Sequence, residues 1–397
     1  MKVERFEIRV PNASLDDLAA RLARTRYADD FANEDWRYGM QGDYLRELLT
    51  YWQERYDWRA HEARMNEFAH YRVEIDGLPI HFLHQPAKVE PGTKATPLLL
   101  THGWPWTFWD YERVIRPLAD PGRYGGDPAH AFEVIVPSLP GFGFSSPLRQ
   151  AGVHWGRTAE LWIKLMTEGL GHERFAAGGG DWGGIVTGEL GHRFPEHVIA
   201  IHLTLPGHPT LFGDTQPDDW SEEEKDWPAH MALRMESGHS HMAVHSRDPQ
   251  SLAAALEDSP AGLAAWIVER RRAWSDCRGD LESLFSKDDL LTTLSVYWHT
   301  RTIGSSLRFY WENAQPFWKP AHDGKPPIGV PTGIAVFPED LVIVPRKTAE
   351  RGSRLVHWSV MEAGGHFAPA EQPEALVRDM WAWWRRVCTL PEFEGGT

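Results

Sequence analysis

The sequence predicts an α/β fold: a mostly parallel sheet with flanking helices, preceded by a helical extension and interrupted by a helical insertion. Three observations predict it. Apolar runs at 97–103 (PLLLTHG), 132–138 (FEVIVPS) and 174–180 (RFAAGGG) are each followed by a helical pattern. Strands that alternate with helices pair in parallel through right-handed crossovers, and burial on both faces makes them continuously apolar. From about 210 to 325 helical segments replace the strands, and two strands then return.

The elements follow in order. Residues 11–27 (PNASLDDLAARLARTRY) read as a helix with Leu15, Leu18 and Leu22 on one face and Ser14 and Asp17 spaced as a capping box. Residues 43–58 read as a second helix with a stripe of Leu45, Leu48, Leu49 and Trp52. YRVEI and IHFLHQ flank the Asp76-Gly77 turn signal, as in a hairpin. The strand runs at 97–103, 132–138 and 174–180 come next, and AIHLTLP (200–206) continues the sheet. In the insertion, Ser259 precedes Pro260 as a helix cap, and Ser286 and Asp289 form a capping pair. TGIAVFP (332–338) and LVHWSVM (355–361) are the returning strands, and 373–387 is a closing helix. This divides the chain into an extension (1–70), a first core part (71–209), a helical lid (210–325) and a second core part (326–397).

Composition narrows the function. The chain has 397 residues, 42% of them hydrophobic, enough for a large core. Its formal net charge of −15, with no run of Lys or Arg, argues against nucleic acid and anionic membrane surfaces as partners. No stretch of about 18 apolar residues predicts a membrane span, and the first residues carry no signal-peptide pattern. Two cysteines, Cys277 and Cys388, make no disulfide framework, which suits a cytoplasmic location. The 20 tryptophans are core material, and some are candidates to line a pocket for apolar or aromatic ligands.

Gly179-Gly180-Asp181-Trp182-Gly183 places a carboxylate where a G-x-nucleophile-x-G elbow has its nucleophile. A sharp strand-to-helix turn strains the central backbone, demands small neighbours and exposes the side chain at the sheet edge beside a helix N-terminus, which favours negative charge. A phosphate-binding turn is the competing reading, but Asp181 would repel phosphate and no G-x-G-x-x-G follows. His102-Gly103-Trp104-Pro105 follows the strand at 97–101. The backbone N–H of Trp104, with that of Trp182, makes a candidate oxyanion hole, and the tight turn makes Trp104-Pro105 a candidate cis bond. His366, in a glycine-rich loop after the last strand, is the candidate base. Glu339 and Asp340, after the preceding strand, are candidate acids. The order nucleophile, acid, histidine is that of α/β-hydrolases. His241 and His245 have the i, i+4 spacing of a helical metal pair, but no further ligands and no H-E-x-x-H accompany them, so they and His239 read as lid histidines.

Over nearly its whole length the chain resembles the microsomal-type epoxide hydrolases of the α/β-hydrolase fold. The resemblance rests on FEIRVPNASLDDLAARLARTRY, HGWP, GGDWGG, DSPAGLAAWIVE, YWHTRTIGSSLRFYWEN, FPEDL and GGHF, in that order. It implies Asp181 as nucleophile, His366 as base, Asp340 as the acid that orients it (Glu339 as the fallback) and Tyr310 as a lid tyrosine on the epoxide oxygen. A second tyrosine is expected after ESG, where this chain has His239, the candidate second oxygen donor. Tyr297 competes with Tyr310 within the later half of the insertion. The implied reaction converts a bulky apolar or aryl epoxide to a vicinal diol through an aspartyl ester, with water as the only co-reactant, no cofactor and no metal. Detoxification and secondary metabolism both fit, and a homodimer is compatible with it. A haloalkane-type dehalogenase using the same three residues, and a non-catalytic binding protein on the same fold, are the alternatives.

Overall fold

The computed structural model describes residues 1–90, 92 and 94–393. Its centre is a nine-stranded sheet among the described residues, ordered β1-β2-β3-β5-β4-β6-β7-β8-β9. The strands are β1 (Glu4–Phe6), β2 (Ala69–Ile75), β3 (Leu78–Gln85), β4 (Thr96–Thr101), β5 (Phe132–Pro137), β6 (Phe175–Gly179), β7 (Val198–Leu203), β8 (Ile328–Val336) and β9 (Ser353–Val360). The pairs β1/β2, β2/β3 and β3/β5 are antiparallel, and every pair from β5/β4 to β8/β9 is parallel. The parallel strands β4 to β8 are buried almost throughout, as their apolar runs require, while the edge strand β9 is mostly half-buried.

The helices are α1 (Asn12–Leu22), α2 (Gly42–Glu54), α3 (Trp58–Met65), α4 (Glu112–Ala119), α5 (Trp155–Lys164) and α6 (Trp182–Arg193). The lid then contributes α7 (Pro209–Phe212), α8 (Trp227–Gly238), α9 (Ser240–His245), α10 (Pro249–Asp258), α11 (Pro260–Trp274), α12 (Lys287–Thr300) and α13 (Ile303–Ala314). The chain closes with α14 (Arg346–Gly352), α15 (Ala368–Glu371) and α16 (Pro373–Cys388). The insertion is helical, with no strand among its described residues. Its predicted caps form: Ser259 Oγ accepts the Gly262 N–H at 3.0 Å, and Ser286 and Asp289 cap each other's backbone N–H groups. No described helix is long and apolar enough to cross a membrane.

Three expectations about the N-terminal region are corrected. The first helix begins at Asn12 after Pro11 without a side-chain cap. Ser14 instead meets His299 Nδ1 at 2.8 Å, so tertiary packing takes the hydroxyl that a capping box would have used. The helix expected over 43–58 is two helices, because the Asp57 side chain accepts the N–H groups of Arg59 and Ala60 and starts a new one. Finally, the extension does not stop short of the sheet. β1 pairs with β2, Phe6 opposite His70, and makes the sheet's edge strand. The helices that follow brace the lid, with Tyr56 Oη 3.1 Å from Thr292 and Lys287 Nζ 2.9 Å from Glu47.

Candidate active site

Asp181 stands between the end of β6 and the start of α6. Its backbone is at φ 50° and ψ −132°, a region that costs a non-glycine residue about 1–3 kcal/mol. The glycines around it make the turn sterically feasible. A Cβ on Gly183 would run into the Thr101 carbonyl, and one on Gly103 into the Asp181 side chain itself. The elbow therefore presents the carboxylate at the carboxyl edge of the parallel strands, the edge reached by the loops after β4, β8 and β9 as well.

Those loops bring the predicted partners. Asp181 Oδ1 accepts the Trp104 N–H at 2.6 Å. Asp181 Oδ2 lies 3.4 Å from His366 Nε2. His366 Nδ1 lies 2.8 Å from Asp340 Oδ1. A carboxylate only accepts, so Nδ1 carries the proton and Nε2 faces Asp181. His366 is 1% and Asp340 2% exposed. Burial disfavours a charged imidazole, but Asp340 and Asp181 outweigh it and lift the His366 pKa to about 9. Glu339 does not reach the histidine. Its carboxylate pairs with Arg234 at 2.7 Å. Trp182 heads α6, where N–H groups lack intrahelical partners.

The HGWP turn is held by groups without an expected role. His102 Nε2 accepts the Leu139 N–H at 3.1 Å, which leaves the proton on Nδ1 to donate to the Gly103 carbonyl at 2.9 Å. Burial lowers its pKa to about 4, so it stays neutral. The Trp104-Pro105 bond is cis. The Tyr297 hydroxyl donates to the Trp106 carbonyl at 2.8 Å, which commits it to the loop rather than to a ligand. Arg271 of α11 makes a buried ion pair with Asp110 at 2.5 Å and lies 4.1 Å over the ring of Phe367, next to His366. The cis bond was expected from the tight turn, but the contacts of His102, Tyr297 and Arg271 were not legible in the sequence: a polar side chain does not announce a partner far along the chain.

In the lid, Tyr310 of α13 is buried against Trp104 and Trp182, with ring centroids 5.7 and 4.9 Å away. Burial, and secondarily the Asp181 charge, push its pKa well above the ordinary phenol value, so it remains a proton donor. His239 is not brought to it. It lies exposed between α8 and α9, its ring 6.1 Å from that of His241. The turn of helix from Ser240 to His245 carries the next two histidines inward instead. His241 stacks on Trp104 at 5.5 Å and meets Tyr310 edge-on at 5.3 Å. His245 is 4.8 Å from Tyr310 and accepts the Trp266 indole N–H at 3.0 Å. His239 as second oxygen donor is thus corrected by helix geometry. Among the described residues no group of three or more His, Cys, Asp or Glu is placed to hold a metal ion.

Comparisons with known proteins give the family and the fold. The family described as "Epoxide hydrolase N terminus" matches residues 3–111, and that described as "alpha/beta hydrolase fold" matches residues 96–371. The chain is similar to a protein named "Putative epoxide hydrolase" from Stigmatella aurantiaca, at 42% identity over 94% of this chain and 83% of that one. The chain belongs to the epoxide hydrolase family. Another member, "Epoxide hydrolase 1" of Oryctolagus cuniculus, is 36% identical over 95% of this chain and 88% of its own. The Aspergillus niger epoxide hydrolase structure superposes with a TM-score of 0.84 at 30% identity, covering 98% of this chain and 97% of that one. The juvenile hormone epoxide hydrolase of Bombyx mori gives 0.83 at 29%, covering 98% and 95%. The α/β-hydrolase fold and the epoxide hydrolase activity expected from the sequence both stand.

Proposed function

We propose that this epoxide hydrolase opens a bulky apolar or aryl epoxide through a covalent ester on Asp181. The observation that carries the reading is the carboxylate of Asp181, with one oxygen on the Trp104 N–H and the other 3.4 Å from His366 Nε2. Asp181 attacks a ring carbon, the carbon–oxygen bond breaks, and the departing oxygen takes the proton of Tyr310, which is later restored from solvent. A carboxylate suits this step because the alkyl ester it forms still has a hydrolysable carbonyl, whereas a serine would form an inert ether. Tyr310 beside Asp181 favours an oxygen leaving group over a halide. His241, between Trp104 and Tyr310, is the better candidate for a second contact to that oxygen.

Esterification also prepares the second step. It removes the Asp181 charge, one of the two anions that keep His366 protonated, so the imidazole pKa falls and the ring becomes a base. His366 then takes a proton from water, whose oxygen attacks the ester carbonyl. The oxyanion falls to the N–H groups of Trp104 and Trp182. Loss of one such donor in a protease costs about 3–4 kcal/mol. Collapse expels the diol oxygen, which takes the proton from His366. The rings of Trp104, Trp106, Trp182, Trp274 and Tyr310 around these groups support an apolar or aromatic substrate.

His366→Gln tests the reading. It should accumulate ester, seen by intact-protein mass spectrometry as an adduct of the epoxide's mass on a peptide containing Asp181. An inactive, folded variant without adduct at saturating epoxide would refute it.

A further inference from the structure

The loop carrying His366 is held by a buried carboxylate that the scheme above does not use. Glu371 ends α15, five residues after the histidine, and is 8% exposed. Its Oε1 accepts the Phe367 N–H at 2.8 Å. Its Oε2 accepts the Gly365 N–H at 2.9 Å and, from the segment leaving the lid helix α11, the Asp276 N–H at 2.9 Å. One side chain thus grips the backbone on both sides of His366 and ties it to the lid's exit.

The remaining N–H groups of the loop go to the same segment. His366 donates its backbone N–H to the Trp274 carbonyl at 2.9 Å. Gly364 donates to Asp276 Oδ2 at 3.0 Å. Four consecutive N–H groups, 364–367, therefore end on Asp276, Glu371, Trp274 and Glu371. Gly365 must be glycine for this clasp to close, since a Cβ there would lie 2.6 Å from the Trp274 carbonyl oxygen. Only a carboxylate offers acceptors on both oxygens and no donor. A glutamine would turn an N–H₂ against at least one N–H. Burying a carboxylate is costly, and burial pushes the Glu371 carboxyl up to about 7 against the pull of its three N–H partners.

We propose that Glu371 is a positioning residue for His366, setting where Nε2 stands relative to the ester on Asp181 and coupling that position to the lid segment 274–276. The proposal rests on His366 being the base of the hydrolysis step. It places the effect of Glu371 on that step alone, because Asp181 is positioned by a separate element, the elbow after β6. A displaced base of about 1 Å is expected to slow its step by up to about 10²-fold.

The test is a stopped-flow and steady-state comparison of wild type, Glu371→Gln and Asp276→Ala with styrene oxide as probe. Tryptophan fluorescence follows alkylation. For Glu371→Gln, alkylation should stay within about twofold of wild type while ester hydrolysis slows about 10–100-fold. Then kcat and KM fall together, kcat/KM is kept, and ester appears in intact mass spectra during turnover. Asp276→Ala, which loses the Gly364 contact and a 3.6 Å ion pair with Arg278 but keeps the grip of Glu371, should show the same split more weakly and serves if Glu371→Gln does not fold. Alkylation and hydrolysis slowing in parallel, or a lower melting temperature with the ratio of the two steps unchanged, would reduce Glu371 to a structural staple and overturn the proposal. His366→Gln in the same series separates the two claims. An adduct there without a split in the Glu371 and Asp276 variants sinks only the positioning role. No adduct there sinks the base reading and this proposal with it.

Discussion

Asp181, Asp340 and His366 leave the carboxyl ends of β6, β8 and β9, whereas Tyr310, His241 and His245 come from helices of the lid. The first group is placed by strands whose register is tied residue by residue, Gly179 to Leu203 and Leu203 to Ile334 across the sheet. The second is placed by side-chain packing between helices that the N-terminal extension braces from outside. Under the proposed mechanism the difference divides the labour between the two regions. The sheet edge would hold the nucleophile, the base and the oxyanion donors. The lid would hold the acid for the departing oxygen and the aromatic wall for the substrate.

The largest effect should therefore come from the sheet edge. Asp181→Ala removes the proposed nucleophile and should abolish diol formation while circular dichroism stays native, since alanine keeps a Cβ of the same size at the elbow and leaves the flanking β6 and α6 intact. Next is the acid. Asp340→Asn should lower turnover by on the order of 10⁴, as loss of the orienting acid does in a serine protease triad, while Glu339→Gln, whose carboxylate faces Arg234, should change it little. The reverse ranking, read from steady-state diol assays, would move the acid to Glu339.

Tyr310 of the lid should act on the first step only. Tyr310→Phe is expected to slow alkylation of Asp181 by about 10²–10⁴-fold, the usual worth of proton donation, and to leave hydrolysis of a preformed ester unchanged. Rapid-quench measurement of both steps would break the division if they slowed equally. A smaller effect is thermodynamic. The His366 pKa of about 9 lies above its unfolded value of about 6.5. Its contribution to stability is thus fully present below pH ~6.5 and lost as pH rises through about 9. Melting temperature should fall over that window, and the fall should shrink in His366→Gln. The smallest effect belongs to His239→Ala, which should stay within about twofold of wild-type turnover for an exposed side chain whose ring meets that of His241. A loss comparable to that of Tyr310→Phe would show that the α8–α9 junction closes over the site during turnover.

The same contrast explains what the amino-acid sequence made legible. Asp181 could be recognised because a strained elbow admits few residues, and its glycines are forced by close backbone contacts that leave a mark in the sequence. His366 and the pair Glu339 and Asp340 followed from chain order, because parallel strands send every following loop to one edge, and only the resemblance preferred Asp340 within the pair. The three-residue β1 is too short to show a period. The break between α2 and α3 hinged on one aspartate that reads equally well inside a helix. His239 was misplaced for a related reason: matching a motif fixes a residue's position along the chain but not the direction its helix turns it, and one short helix separates an exposed ring from two buried ones. From the residues alone Tyr297 competed with Tyr310; the resemblance preferred Tyr310, and in the structure the Tyr297 hydroxyl is taken by the Trp106 carbonyl.

The covalent role of Asp181 is tested most directly by a single turnover in ¹⁸O-water, with enzyme in excess over epoxide. Attack by Asp181 and hydrolysis at the ester carbonyl place the water oxygen in the enzyme's carboxylate and an enzyme oxygen in the diol. The first diol should then be unlabelled, and the label should be found in the peptide carrying Asp181. A labelled first diol with an unlabelled Asp181 would mean that water attacks the epoxide directly, and would contradict the account.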